Sequence, residues 1–263
     1  MIGQSRLLET AISTVVTAVC ILMVLPTVVV VPISFSAADF ISFPPVGFSL
    51  RWYEQFFTSR AWQRAAGNSV VVAVGATALA TVIGTMASLG AIRASQRWAR
   101  RVMLAFLLPM MLPSIVSAVA LYGGYARLGI SGKVSGLILA HALLGLPFVV
   151  INVSAALQKM DWRLESAARS LGASPTRAFL LVTLPAIRPG VIAGAAFAFL
   201  TSFDEVVVAL FMSGIDATTL PVQMWNGIRF EISPAVAAVS TMLLIFSCAV
   251  MALYFTVKGK SDG

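Results

Sequence analysis

Six runs of mostly apolar residues, about 11–34, 67–92, 102–125, 134–158, 189–213 and 235–257, leave this chain few ways to fold. Each approaches or exceeds the roughly 20 apolar residues that let a helix cross a bilayer. No alternation of period two marks them as barrel strands. Lipid offers no partner to an open backbone, so six transmembrane helices are predicted and the fold class is all-α integral membrane. Composition agrees: charged residues make up 11% of the chain, against about 25% in soluble domains. A net charge of +8 could point to nucleic acid. The charges instead lie between the apolar runs, so they report topology and no nucleic-acid partner is expected.

Orientation follows from the 18 Lys and Arg residues. With a cytoplasmic N-terminus, two thirds of them fall on the inner side: Arg6; Arg93, Arg97, Arg100 and Arg101; Lys159, Arg163, Arg169, Arg177 and Arg188; Lys258 and Lys260. The positive-inside bias therefore places both termini in the cytoplasm. The first run is too long for the apolar core of an ordinary signal peptide and is expected to stay as a helix. The outer segment 35–66 carries Trp52, Tyr53, Phe56, Phe57 and Trp62, read as a helix on the outer surface with an interfacial aromatic belt. Pro109, Pro113 and Pro147 either kink their spans around a central cavity or reflect the greater frequency of proline in membrane helices.

The inner segment between the fourth and fifth spans is polar and punctuated. Asp161 is placed to cap a short helix, and Leu164, Ala167, Ala168 and Leu171 form a narrow apolar stripe on it. Gly172 is the expected stop. Ser174 and Pro175 restart a helix as N-cap and first helical residue. Pro185 is expected to end that helix and Pro189 to open the fifth span. One reading of this elbow is an amphipathic loop among lipid headgroups. The small residues Ala167, Ala168 and Gly172 favour close approach by another protein instead.

This spacing resembles the EAA loop of membrane subunits of bacterial ABC importers: Glu-Ala-Ala, three residues, Gly, nine residues, Ile, any residue, Leu-Pro. Here Ala167-Ala168 stand before Gly172, and Val182-Thr183-Leu184-Pro185 follow at the matching distance. One position departs. Ser166 occupies the place of the family's Glu, and Glu165 lies one residue earlier, about 100° around a helix. The resemblance implies a five-helix type I importer core. It divides the chain into 1–66, a first helix with an extracytoplasmic segment; 67–257, the permease core with its coupling loop 159–188; and 258–263, a cytoplasmic tail. It implies ATPase coupling through Ser166, Ala167, Ala168, Gly172 and Pro185, with Glu165 as an open candidate. It further implies residence in the bacterial plasma (inner) membrane and alternating access. The implied partners are a second permease, two cytoplasmic ABC ATPases holding ATP and Mg, and an extracytoplasmic binding protein. The chain itself is expected to hold no cofactor and no catalytic site.

Asp204 and Glu205 are adjacent acids in the fifth span. An acid at a helix centre costs about 2.5–3.5 kcal/mol on insertion scales. Two readings stand: at least one lines the path and favours a cation, or both pair with donors on a neighbouring helix or subunit. Ser202-Phe203-Asp204-Glu205-Val206-Val207, the Leu220-Pro221 turn and Ile232-Ser233-Pro234 resemble spermidine/putrescine permeases, which implies a polyamine substrate and a second permease of different sequence. Relatives for amino-acid derivatives or aminophosphonates are the alternative.

Rival chemistries find little support. Gly129–Lys133 departs from a phosphate loop, because Arg127 stands at the first glycine position and Val134 follows the lysine. His141 is the sole histidine and lacks co-ligands, so a packing role is expected. Cys20 and Cys248 fall inside apolar runs and suggest neither disulfide nor metal. An ion-coupled secondary transporter would call for an internal repeat, and none is visible.

Overall fold

In a computed structural model of the chain, residues 2–94, 96–230 and 233–259 are described. Ile232 of the Ile232-Ser233-Pro234 turn and residues 260–263 of the expected tail lie outside them. All regular secondary structure among the described residues is helical, with no strand. In order they form α1 (Ile2–Ile33), α2 (Arg51–Thr58), α3 (Arg60–Arg93), α4 (Gln96–Met111), α5 (Ser114–Arg127), α6 (Val134–Lys159), α7 (Trp162–Ser170) and α8 (Pro175–Ala178). A π-turn over Phe179–Thr183 leads into α9 (Leu184–Phe203), followed by α10 (Val207–Met212), α11 (Leu220–Phe230) and α12 (Ala235–Gly259).

Among the described residues, five helical stretches are long and apolar enough to cross a membrane, or six if the bent pair α4–α5 counts as one span. That third span is therefore not one continuous helix. It turns by 105° between Met111 and Ser114. Pro113 has no N–H for a helical bond and drives Leu112 out of the helical region, which is where the break falls. Pro109 and Pro147 sit inside α4 and α6 without interrupting them.

The fifth span also departs from its expected limits. It begins before Pro185 and ends at Phe203, short of the acids. Pro185 does not stop the helix, because the wider π-turn just before it relieves the clash of a proline ring with the preceding turn. Pro189 lies within α9 instead of opening it.

Contacts divide the chain into two units, Met1–Arg60 with Asn226–Phe246 and Ala61–Trp225 with Ser247–Gly263. In the first unit the Trp52 indole N–H donates to the Ser36 carbonyl at 2.9 Å. Phe35 stacks on Phe48 with ring centroids 5.4 Å apart. The segment after α1 thus has its own packed turn around Trp52. In the second unit the core is built on α6 and α9. Gly190 and Gly194 bring these backbones together: a Cβ on Gly194 would stand 2.7 Å from the Val149 Cα, and one on Gly190 would stand 2.7 Å from the Asn152 carbonyl oxygen. This is the small-xxx-small contact of membrane helices, where close backbone approach replaces hydrophobic drive. Val149, Val153, Leu157 and Ile187 fill the seam and are fully buried.

Candidate functional site: a capped elbow and a broken acidic helix

The elbow is closed at each joint by its own residues. Asp161 Oδ1 accepts from the Arg163 N–H at 2.9 Å and caps α7. At the far end Gly172 N–H donates to the Arg169 carbonyl and Ala173 N–H to the Ala168 carbonyl, which is a complete Schellman closure. Gly172 takes φ +90°, a conformation that a Cβ disfavours. Ser174 Oγ then accepts from the Arg177 N–H at 3.3 Å, with Pro175 beside it, and starts α8.

The two faces of α7 differ sharply. Leu164 is 56% exposed and Leu171 89% exposed, so the apolar stripe looks outward. Ser166 and Ala167 are exposed, Ala168 is half-buried, and Pro185 beyond the π-turn is exposed. Glu165 turns the other way and is only 8% exposed. One Arg93 Nη2 donates to both of its carboxylate oxygens, at 2.6 and 2.9 Å. The hydroxyl of Thr183, itself fully buried, donates to Oε2 at 2.6 Å. The Arg93 guanidinium also lies 5.7 Å from the centre of the Trp162 ring. Glu165 therefore does not present its carboxylate on the open face; Ser166 occupies that face, its hydroxyl bonded back to the Trp162 carbonyl.

The acidic pair stands at a break in the span, not within a helix. Asp204 is the C-cap of α9, and α10 restarts two residues beyond Glu205. The carboxylates diverge. Asp204 is exposed. Glu205 Oε1 accepts from the Val208 N–H at 2.9 Å, satisfying a free donor at the start of α10. Glu205 also borders a cavity of about 140 Å³, together with Ser117, Phe148 and Thr201 and the α4–α5 bend at Pro109–Ser114. His141 is buried beside this break, its Nδ1 within 3.0 Å of the Ser202 carbonyl and 2.9 Å of the Ser202 hydroxyl. It ties α6 to the last turn of α9. No group of three or more His, Cys, Asp or Glu stands together among the described residues.

Arg93 and Thr183 escaped notice in the sequence. Arg93 looks like one more inside-positive charge, and Thr183 falls at the unspecified position of the motif. The signal that could have found Thr183 is its place next to Leu184-Pro185, where a hydroxyl inside an apolar pattern needs a partner.

A family described as binding-protein-dependent transport system inner membrane component matches residues 80–258. The chain is 33% identical over 216 residues to the spermidine/putrescine transport system permease protein PotC of Haemophilus influenzae, covering 82% of this chain and 84% of that one. It is 31% identical to PotC of Escherichia coli K12, covering 94% of both chains. The putrescine transport system permease protein PotI of the same organism is 30% identical, over 83% of this chain and 80% of its own length. Among solved structures, a bacterial ABC transporter involved in the import of alginate superposes with a TM-score of 0.74 at 13% identity, covering 97% of each chain. The MetNI methionine ABC transporter superposes with a TM-score of 0.62 at 18% identity, covering 78% of this chain and 99% of that one. These two likenesses concern the fold. A family match across most of the chain, joined to relatives above 30% identity over most of its length, means that the chain belongs to the binding-protein-dependent transport inner membrane component family, as a permease subunit of an ABC importer.

Proposed function

We propose that this chain forms half of the translocation path of an importer for polyamines or similar small cationic amines. The observation that carries the reading is the Glu205 carboxylate on a small cavity, in a chain whose relatives are named for spermidine and putrescine transport. A carboxylate with a hydroxyl and an aromatic face, here Glu205, Thr201 and Phe148, suits a primary ammonium group. The 140 Å³ volume would take one end of an extended diamine and leave its chain toward the facing permease. Asp204, exposed beside it, adds negative potential to the same break.

The rest of the machine lies on other chains. Two cytoplasmic ATPases would bind ATP and Mg and seat on the open face of the elbow, through Ser166, Ala167, Ala168, Leu171 and Gly172. Pro185 would hold the elbow's exit. A second permease of different sequence would complete the path, and an extracytoplasmic binding protein would deliver substrate. Both termini would be cytoplasmic, as the Lys and Arg bias favours. ATP-driven closure of the ATPases would move the elbows and shift the helices between inward-open and outward-open states, a change driven by differential binding to the two states.

The test is uptake of radiolabelled putrescine and spermidine by the complex purified with its partners and reconstituted in vesicles. ATP-dependent uptake that unlabelled polyamine suppresses is expected. Uptake that is blind to polyamine but suppressed by an amino-acid derivative or an aminophosphonate would overturn the substrate. A chain that captures no ATPase would overturn the reading as a whole.

A further inference from the structure

We propose that Glu165 is the internal strut of the elbow: its carboxylate ties the ATPase-facing helix to two membrane helices at one point and so turns elbow displacement into helix movement. This rests on the importer reading above. Among the described residues Glu165 is the one buried carboxylate. A charge in such a place is tolerated when it is paired and its oxygens are hydrogen-bonded. Both conditions hold. Arg93 belongs to the last turn of α3, and Thr183 closes the π-turn that feeds α9. The carboxylate on α7 therefore bonds two separate segments, with donor–acceptor distances of 2.6 to 2.9 Å.

The rest of the elbow explains why such a tie is needed. Its apolar stripe faces outward, so α7 packs on the membrane helices chiefly at its start, through Trp162. Beyond Glu165 and the packed Trp162, α7 joins its neighbours through chain ends: the Met160-Asp161 link from α6 and the Gly172-Ala173 turn into α8. Neither joint is helical backbone. Without the tie, a push on the open face would flex the joints. With the tie in place, the same push loads α3 through Arg93 and α9 through Thr183. Arg93 also covers Trp162, so the guanidinium is held from two sides. Glu165 is thus a positioning residue that acts on transport through Arg93 and Thr183, and it is spent internally instead of on an ATPase contact.

The experiment measures substrate imported per ATP hydrolysed, on the reconstituted complex, for Glu165→Gln, Thr183→Val, Arg93→Met and the double variant Glu165→Gln/Arg93→Met. Each single variant should still capture the ATPase and hydrolyse ATP. Each should move about tenfold less substrate per ATP, the size of change that residues along a coupling path produce. The double variant should be no worse than the poorer single, because both remove the same tie. Arg93→Lys, which keeps the charge, should recover part of the ratio. Thr183→Val keeps shape and the ion pair, so it reports on coupling even where a charge deletion fails to fold. An unchanged ratio in the singles overturns the strut. Loss of ATPase capture in step with import also overturns it, since Glu165 would then be a contact. A wild-type chain that captures no ATPase overturns the importer reading and the strut with it, whereas a wild-type complex that imports normally beside unaltered variants overturns the strut alone.

Discussion

Two acidic places in this apolar chain have opposite local chemistry. At the elbow Glu165 is buried, faces a guanidinium and a hydroxyl, and uses both oxygens inside the protein. At the break in the fifth span Asp204 is exposed, and Glu205 spends one oxygen on a backbone N–H while bordering an empty space. A satisfied carboxylate fixes geometry. A carboxylate held in place but not charge-paired keeps its capacity for a cation. The contrast suggests why the first would serve force transmission and the second would serve substrate.

The comparison can be broken from either side. The largest effect should come from Leu171→Asp, which puts a charge at the most exposed apolar position of the elbow. Anchors at the centre of an interface are worth 2 kcal/mol or more, so capture of the ATPase should weaken by about thirtyfold or more in a pull-down. Folding should stay normal by thermal melting, because the side chain touches little in the chain itself. Intact capture would remove the open face from the ATPase contact.

Glu205→Gln should come next. The amide oxygen can still accept from Val208, so the start of α10 survives while the charge goes. Hydrogen bonds to charged groups are worth about 1.5–3 kcal/mol, so cation uptake should fall by about ten- to a hundredfold in kcat/KM. ATPase capture should be unchanged. Asp204→Asn should follow with a loss of about threefold, since an exposed charge contributes about 0–1 kcal/mol. The loss should shrink at high salt, where the exposed charge is already screened, and uptake at two ionic strengths would read it. A loss of complex assembly in either variant would assign the acids to subunit pairing instead of the path.

The smallest effect should be a gain. Ser166→Glu restores the family's carboxylate on the open face, where Glu165 cannot reach. A rim charge of this kind adds about 0.2–1 kcal/mol, so ATPase affinity should rise by about 1.4- to fivefold and fall back with added salt. No change would mean that the partner surface lacks the matching cation.

The elbow was the most legible part of the sequence. Asp161, Gly172, Ser174 and Pro175 act through bonds to their nearest neighbours along the chain, so their types and spacing were enough to place both caps and the turn. The apolar runs were legible for the same reason, since length and hydropathy decide whether a helix can span. The breaks were not. A hydropathy window runs smoothly across Leu112-Pro113 and across Asp204–Val206, where the structure bends or unwinds. Pro109, Pro113 and Pro147 read alike, yet only Pro113 stops its helix. Pro185 read as a stop and is absorbed by a π-turn.

The sequence by itself determined that this chain crosses a membrane several times and that a capped elbow interrupts it, with Ser166 standing where the loop it resembles carries a carboxylate. Which way Glu165 points was decided only by the tertiary structure. Its partners lie 72 residues before it and 18 after it, too far for any local pattern to announce. The same holds for Glu205, whose cavity exists only because α4–α5 bends and α9 ends where they do. Local bonds are written in neighbouring letters, whereas the partner of a buried charge is settled by which distant helices pack together.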